Sequence, residues 1–220
     1  MSDSINSHVN IENLSSQIAT TVGEERFLLL ARRAKAYRLN NDNRAIIDYV
    51  DIIEDASDPR LVCHAQSMLA LISIEAGELK EALWWAMTAV NTDRTQFDGH
   101  MAVGLALDAG SLYEASIHFF RRALEVDQTS EIALLKLAKC CREVMRFSEA
   151  NDAFDLLLSV CPDNPTYHYE CGRNWQLRHD VNDHYERALE FYEKALNCDP
   201  NEELKRKIQD KIRSLPSQAN

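Results

Sequence analysis

Apolar and small residues recur along the chain at the spacing of helix faces, and two separated stretches repeat one pattern. Residues 113–127 read YEASIHFFRRALEVD, and residues 185–200 read YERALEFYEKALNCDP. Both place a small residue, an aromatic residue and another small residue at offsets of zero, four and seven, on one side of a helix. The arrangement occurs, with some variation, at Ala45/Tyr49/Ile52, Ala82/Ala86/Ala89, Ser116/Phe120/Ala123, Ala150/Phe154/Leu157 and Ala188/Tyr192/Ala195, with Ala86 in place of the aromatic residue in the second.

A second helical pattern precedes each of these triplets and also carries a small residue near its middle. These small residues are Ala34, Ala70, Gly104, Ala138 and Gly172, and the last four follow one another at intervals of 34 residues. A small residue lets two helices approach closely, while the aromatic residue of the second helix fills the space beside it. The pattern therefore predicts a series of two-helix blocks.

The 34-residue period and the order of small and large residues resemble the tetratricopeptide repeat, or TPR. Pro162 and Pro200 stand where that motif closes its second helix, whereas Arg94 and Gln128 replace the proline in two blocks. The resemblance implies an all-α, right-handed superhelix of about five TPR hairpins with a C-terminal capping helix. The expected repeats are about 27–62, 63–96, 97–130, 131–164 and 165–202, within a solenoid spanning 25–200.

Two end segments lie outside the expected repeats. Residues 1–24 are polar to amphipathic, and we expect them to be partly disordered at the start and to act as a capping helix or as a lid. Residues 201–220 include Leu204, Ile208, Ile212 and Leu215 on one helical stripe with charges elsewhere. Such a stripe predicts a helix that covers the last repeat, followed by a short tail.

In the TPR family the first helix of each repeat lines a concave groove, and the resemblance places a set of residues there by number. The groove candidates are Arg32, Lys35, Arg38, Met68, Leu71, Met101, Leu105, Lys139, Arg142, Tyr169 and Arg173. Their order gives an apolar middle with basic residues on both sides, which suits an acidic, amphipathic peptide. Packing of the methionines and leucines against neighbouring helices is the alternative interpretation.

One well-known TPR site, the carboxylate clamp of heat-shock co-chaperones, is missing from the predicted groove. Where the clamp needs Asn and Lys in adjacent blocks, this chain has Ser67, Met68, Asp98 and Ala102.

On the second helices, Trp84 and Trp85 are adjacent, next to Ala86. If Trp85 fills the volume that Ala86 leaves empty, Trp84 is an exposed hot-spot candidate; packing of both rings is the alternative.

Composition and charge narrow the class of partner. The chain has 220 residues, 45% of them hydrophobic and 27% charged, with a formal net charge of −11. That balance predicts a folded, acidic protein for which nucleic acid and anionic membranes are unfavourable partners. The absence of an apolar run of signal-peptide or membrane-span length leads us to expect a cytoplasmic protein. The six cysteines lack a CxxC pair and are expected to be reduced core residues.

Candidate chemistry is sparse in the sequence. Residues 179–184 read HDVNDH, which fits no complete ligand set, so we expect a solvated insertion and no metal or cofactor. His168 and Cys171 share a helix face, but Cys171 falls on the packing side. No nucleophile elbow, phosphate-binding glycine loop or zinc-protease motif occurs, and an enzyme is not expected.

The sequence thus predicts a non-catalytic scaffold or adaptor that binds a peptide or protein segment in a groove. Two alternatives remain open at this point. One is a chaperone that masks an apolar segment of a secreted or assembling client, and the other is a self-assembling homo-oligomer in which one copy docks into the groove of the next.

Overall fold

The computed structural model describes residues 2–216, and describes side chains from residue 10 onward. Twelve helices and no strand occur in this part of the chain, so the expected all-α class is confirmed. They are α1 (Ser2–Thr20), α2 (Glu24–Leu39), α3 (Arg44–Asp55), α4 (Pro59–Glu75), α5 (Leu79–Thr92), α6 (Phe97–Ala109), α7 (Tyr113–Val126), α8 (Glu131–Glu143), α9 (Phe147–Val160), α10 (Pro165–Gln176), α11 (His184–Asn197) and α12 (Glu202–Ser214).

Several helices begin at a polar residue whose side chain accepts a hydrogen bond from a backbone N–H of the first turn. Asp58 caps α4, Ser130 caps α8, Asn164 caps α10 and Asn201 caps α12. In α4 and α10 the cap is followed at once by a proline, which lacks the N–H that would otherwise need a partner. These local signals define the start of α4, α8, α10 and α12.

Four of the five hairpin turns in the described part of the chain end the first helix in the same backbone conformation. Asn41, Gly77, Ser111 and Met145 each have φ between 54° and 79°, directly after the first helix of a pair. The next residue donates its N–H to a carbonyl five residues earlier, at 2.8–2.9 Å, in Asp42 to Tyr37, Glu78 to Ser73, Leu112 to Leu107 and Arg146 to Cys141. This is the Schellman motif, which ends a helix in a left-handed residue and turns the chain back.

The chain divides into two compact units, Met1–Val126 and Asp127–Asn220, which we call unit 1 and unit 2. In unit 1, α2 packs on α3, α4 on α5 and α6 on α7. Gly104 of α6 lies so close to Phe120 of α7 that a Cβ there would be 2.6 Å from the ring. Ser116 donates a 2.6 Å hydrogen bond to the carbonyl of Gly104. The small residue is thus required for the close approach of the two helices.

The N-terminal helix is part of unit 1. Ile11, Leu14 and Ile18 are buried in the same cluster as Leu30 and Tyr49 of the first hairpin. Arg33 joins the helices further, since it donates to Ser15 at 3.0 Å and to both carboxylate oxygens of Asp48 at 2.7–2.9 Å. From residue 10 onward, α1 therefore covers an apolar side of the first hairpin.

Unit 2 repeats the same construction. Here α8 packs on α9 and α10 on α11, and a Cβ at Gly172 would lie 2.5 Å from the ring of Tyr192. Ile208 of α12 is fully buried beside Tyr192, with Leu204, Ile212 and Leu215 packed around it. The stripe of α12 thus packs against α11 and covers Tyr192. None of the helices formed by residues 2–216 has the length and apolar character needed to cross a membrane.

Candidate functional site

The first helices of unit 1 present side chains on the side away from their partner helices. These side chains lie six and two residues before, and one and five residues after, the small residue of each helix. We call this set the first-helix face: Leu28, Arg32, Lys35, Leu39, His64, Met68, Leu71, Glu75, Asp98, Ala102, Leu105 and Ala109, of which Ala102 is buried in the core. His64 of α4 and Asp98 of α6 are joined at 2.6 Å, with both side chains about 40% exposed, which shows that the face continues from one helix to the next.

The basic candidates of unit 1 differ in whether they are exposed or paired with a neighbouring helix. Arg32 and Lys35 are exposed and line a cavity of about 470 Å³ between α1 and α2, together with Asn13 and Gln17. Arg38 instead reaches α4, where its Nη1 lies 2.7 Å from Glu75 Oε1. Arg32 and Lys35 are therefore open to a ligand, whereas Arg38 is engaged by a neighbouring helix.

The apolar candidates of unit 1 also differ in exposure. Met68, Leu71 and Leu105 are half-buried, so part of each side chain faces solvent. Met101 is only 6% exposed; it lies three residues before Gly104 and so points away from the first-helix face into the interior. The structure thus places this candidate in the core.

Two exposed leucines on the first-helix face were not among the sequence candidates. Leu28 is 48% exposed and Leu39 is 70% exposed. Each lies four residues from one of the exposed cations, Leu28 before Arg32 and Leu39 after Lys35. This helical spacing was visible in the sequence, but nothing there distinguished an exposed leucine from a packed one.

Unit 2 gathers its basic candidates around a carboxylate that the sequence did not single out. The carboxylate of Glu170 lies 2.8 Å from Arg142 Nη1, 3.2 Å from Arg173 Nη1 and 3.4 Å from Lys139 Nζ. We call these four residues the Glu170 cluster. Burial acts to raise the pKa of Glu170, but the positive charges of Arg142, Lys139 and Arg173 outweigh it and hold the pKa below its ordinary value.

The members of the Glu170 cluster differ in exposure. The side chains of Arg142 and Glu170 are 1% and 8% exposed, whereas those of Lys139 and Arg173 are 40% and 34% exposed. Arg142 is therefore an internal counter-ion rather than a surface cation, and the structure moves it from the predicted groove to the interior. Tyr169 is half-buried, with the guanidinium of Arg173 6.0 Å from its ring centre.

The two adjacent tryptophans of α5 have different environments. Trp85 is half-buried against the apolar clusters of unit 1, and its indole N–H donates to Glu81 at 3.3 Å. Trp84 is 59% exposed and meets Trp85 edge to face, with ring centres 4.5 Å apart. Trp84 thus lies on the second-helix side, away from the first-helix face.

The cysteines are all free thiols, but they are not all core residues. Four are buried, whereas Cys161 and Cys198 are partly exposed at the C-terminal ends of α9 and α11. Burial raises the pKa of Cys63 to about 11, and the hydrogen bond to Glu131 raises the pKa of Cys161. A raised pKa disfavours the thiolate that nucleophilic catalysis needs.

Comparison with known proteins gives likeness at the level of structure. No protein-family model matches the chain, and no curated protein sequence matches it. MamA is 20% identical, with a TM-score of 0.63 over 79% of this chain and 96% of its own. YrrB, described as a TPR protein with an unusual peptide-binding site, is 19% identical, with a TM-score of 0.64 over 91% of this chain and 99% of its own.

A third similar structure is a monomeric mutant of IFIT1 solved with Gppp-AAAA. It is 17% identical and has a TM-score of 0.70 over 86% of this chain, which spans 46% of that longer protein. These structural matches agree with the packing in this chain, where small residues of the first helices meet aromatic residues of the second helices. The chain has the tetratricopeptide-repeat fold.

Proposed function

We propose that this chain is a non-catalytic binding protein that holds a peptide segment of another protein against its first helices. The observation that carries the proposal is the composition of the first-helix face of unit 1. Met68, Leu71 and Leu105 are half-buried there, and the exposed cations Arg32 and Lys35 lie at one end. Apolar side chains of a peptide would supply most of the binding free energy, and its carboxylates would meet the cations.

In unit 2 we propose the same role for the exposed part of the Glu170 cluster. Lys139 and Arg173 face solvent, and Glu170 holds them in place while Arg142 balances the charge of its carboxylate. Three cations surround Glu170, and Glu143, 3.9 Å from Arg142, adds a second carboxylate, which leaves one positive charge in excess. A peptide carboxylate is therefore a suitable ligand, and the half-buried ring of Tyr169 offers an apolar contact beside it.

The likeness to YrrB supports a peptide as the ligand, because that protein is described as having a peptide-binding site. The acidic character of the peptide rests on the cations named above and not on any relative. The full chain is acidic overall, with a net charge of −11, so local cations on the first helices would select the part of the surface that an acidic segment approaches.

The test is a selection of peptides from a random display library on the intact protein. We expect the selected peptides to combine Asp or Glu with large apolar residues. The variant Arg32→Glu/Lys35→Glu should weaken their binding by about tenfold or more, because it replaces attraction by repulsion. The matched control is Arg121→Glu/Arg122→Glu on α7, which changes the net charge equally on a second helix.

A second pair of variants tests the apolar contacts. Met68→Gln removes an apolar side chain from the first-helix face, and Met87→Gln makes the same change on α5, where Met87 is 39% exposed. We expect only Met68→Gln to weaken the selected peptides. Equal binding by all four variants would exclude the first-helix face as the docking surface. A molar mass that rises with concentration in light scattering would indicate self-assembly instead.

A further inference from the structure

The connection between α10 and α11 is longer than the other hairpin turns and has no counterpart in the 34-residue period. It comprises residues 177–183, and no residue in it has the positive φ found in the other four turns. His179 lies within this connection, and His184 is the first residue of α11. The two histidines are separated by four residues, which falls within the H-x3–5-H spacing found in part of many zinc sites.

The tautomer of His184 follows from one hydrogen bond. Its Nδ1 lies 2.6 Å from the carbonyl oxygen of Val181. A carbonyl oxygen only accepts hydrogen bonds, so Nδ1 carries the proton and donates it. In the neutral ring Nε2 then has a free lone pair. A backbone carbonyl that fixes the ring through the other nitrogen is the usual outer partner of a metal-binding histidine.

The second nitrogen of the pair lies at a distance that suits metal coordination. His179 Nδ1 is 3.3 Å from His184 Nε2. Two nitrogens bound to Zn²⁺ at about 2.0–2.1 Å with a tetrahedral angle are about 3.3–3.4 Å apart. The same separation lies within hydrogen-bond reach, so in the metal-free protein His179 Nδ1–H can donate to His184 Nε2. Loss of that proton from His179 Nδ1 to the other ring nitrogen would turn both facing nitrogens into metal ligands without moving the rings.

Aromatic packing holds the two rings, and the nearby carboxylates are engaged by arginines. The ring of Tyr185 lies 3.9 Å from that of His184, centre to centre, and the two imidazoles meet nearly at right angles. Asp180 and Asp183 are each engaged by an arginine, at 3.0 Å to Arg178 and 2.6 Å to Arg187. Among the described residues no group of three or more metal-binding side chains occurs, so water would complete the coordination.

We propose that His179 and His184 form a two-histidine site for a divalent transition-metal ion of the Zn²⁺, Cu²⁺ or Ni²⁺ class. Imidazole nitrogen suits these ions, whereas Mg²⁺ and Ca²⁺ prefer oxygen ligands. The sequence alone predicted a solvated insertion here, because no complete ligand set is spelled out. The structure adds the fixed tautomer and the convergence of the two nitrogens.

The test is calorimetric titration of the reduced full-length protein with ZnCl2, with MgCl2 as the oxygen-preferring comparison. We expect one Zn²⁺ per chain bound by the histidine pair and no comparable Mg²⁺ binding. His179→Ala/His184→Ala should weaken zinc binding at that site by at least about tenfold, since it removes both protein ligands. His118→Ala, an exposed histidine on α7, is the matched control and should leave binding unchanged.

The partly exposed thiols of Cys161 and Cys198 are the competing explanation for any zinc binding. Cys161→Ser/Cys198→Ser should retain the site if the histidines form it. Unchanged zinc affinity in the double histidine variant would overturn the proposal, as would the absence of binding up to about 1 mM zinc, a concentration above any specific site of interest. Loss of binding in the cysteine variant alone would also overturn it.

Discussion

Arg38 in unit 1 and Arg142 in unit 2 occupy the same position in their repeats but lie in different environments. Each follows the small residue of its first helix by four positions, Ala34 in α2 and Ala138 in α8. Each reaches a glutamate on the next first helix, at 2.7 Å for Glu75 and 2.8 Å for Glu170. The Arg38 pair is 26% and 59% exposed, whereas the Arg142 pair is 1% and 8% exposed.

The position of the glutamate explains the difference. Glu75 is the last residue of α4, where the helix end is open to solvent, while Glu170 lies in the middle of α10, two residues before Gly172. Water screens the first pair, so that its contribution is about 0–1 kcal/mol. The second pair is desolvated, and its two charges depend on each other. The arginine at this position therefore forms a solvent-screened surface ion pair in unit 1 and a buried ion pair in unit 2 on which stability depends.

Replacing the two glutamates one at a time should give the largest difference in stability between the units. Glu170→Gln leaves Arg142 buried without its main counter-ion and should destabilise unit 2 by about 3–5 kcal/mol, whereas Glu75→Gln should cost unit 1 less than about 1 kcal/mol. The measurement is urea unfolding followed by tryptophan fluorescence. Trp175 reports on unit 2 in a Trp84→Phe/Trp85→Phe background, and the other two tryptophans report on unit 1 in a Trp175→Phe background.

A double replacement separates the cost of an unpaired charge from the value of the pair. Arg142→Met/Glu170→Met removes both charges and should recover most of the stability that Glu170→Gln loses, because no buried charge remains. If Glu170→Gln and Glu75→Gln destabilise their units equally, the contrast drawn from burial is wrong.

Acid should remove the same interaction without a mutation. The pKa of Glu170 lies below its ordinary value of 4.5, since the nearby cations outweigh the effect of burial. A carboxyl group with a lowered pKa contributes stability that is complete above the unfolded-state value and is lost as the pH falls through the folded-state value. The difference in unfolding free energy between the wild type and Glu170→Gln should therefore narrow below about pH 4.5. A constant difference down to about pH 3 would contradict the assigned charge state.

The contrast between the two pairs also shows what the sequence was able to predict. Periodicity predicted the helices, the close approach at Gly104 and Gly172 and the stripe of α12, because each depends on spacing within one or two adjacent helices. Both arginines were expected on a groove. How far each arginine is buried depends on where the next first helix carries its glutamate. The spacing of residues within one helix does not encode the position of a partner on another helix. The convergence of His179 and His184 likewise depends on the path of the connecting chain.

The two glycines at the helix crossings offer a smaller test of the same comparison. An added Cβ would lie 2.5 Å from Tyr192 at Gly172 and 2.6 Å from Phe120 at Gly104. Tyr192 is tethered by a 2.8 Å hydrogen bond from its hydroxyl to Gln176, whereas a phenylalanine ring has no such tether. Gly172→Ala should therefore cost about 1–3 kcal/mol from overpacking, and Gly104→Ala should cost less. Better helix propensity offsets part of both costs, by about 1 kcal/mol.

Thermal unfolding in the two single-unit tryptophan backgrounds measures the effects of the glycine variants. The control is Gly172→Ala/Tyr192→Phe, which cuts the tether and should bring the cost of the added methyl group closer to that at Gly104. A larger loss at Gly104 than at Gly172 would show that ring mobility does not govern the cost.

The smallest expected effect concerns the hairpin turns and has the opposite sign. Met145 adopts φ 60° at the position where the α4–α5 turn has Gly77, with φ 79°. A left-handed conformation costs a residue with a Cβ about 1–2 kcal/mol, and glycine avoids this cost but is more flexible when unfolded. Since Met145 is 75% exposed, Met145→Gly should stabilise unit 2 by up to about 1 kcal/mol. Gly77→Met, the reverse change in unit 1, should destabilise that unit by a similar amount, as measured by urea unfolding. Met145 lines a cavity of about 840 Å³ together with Phe147 and Leu177. If Met145→Gly is instead destabilising, the packing of the methionine side chain at this cavity stabilises unit 2 by more than the backbone strain costs.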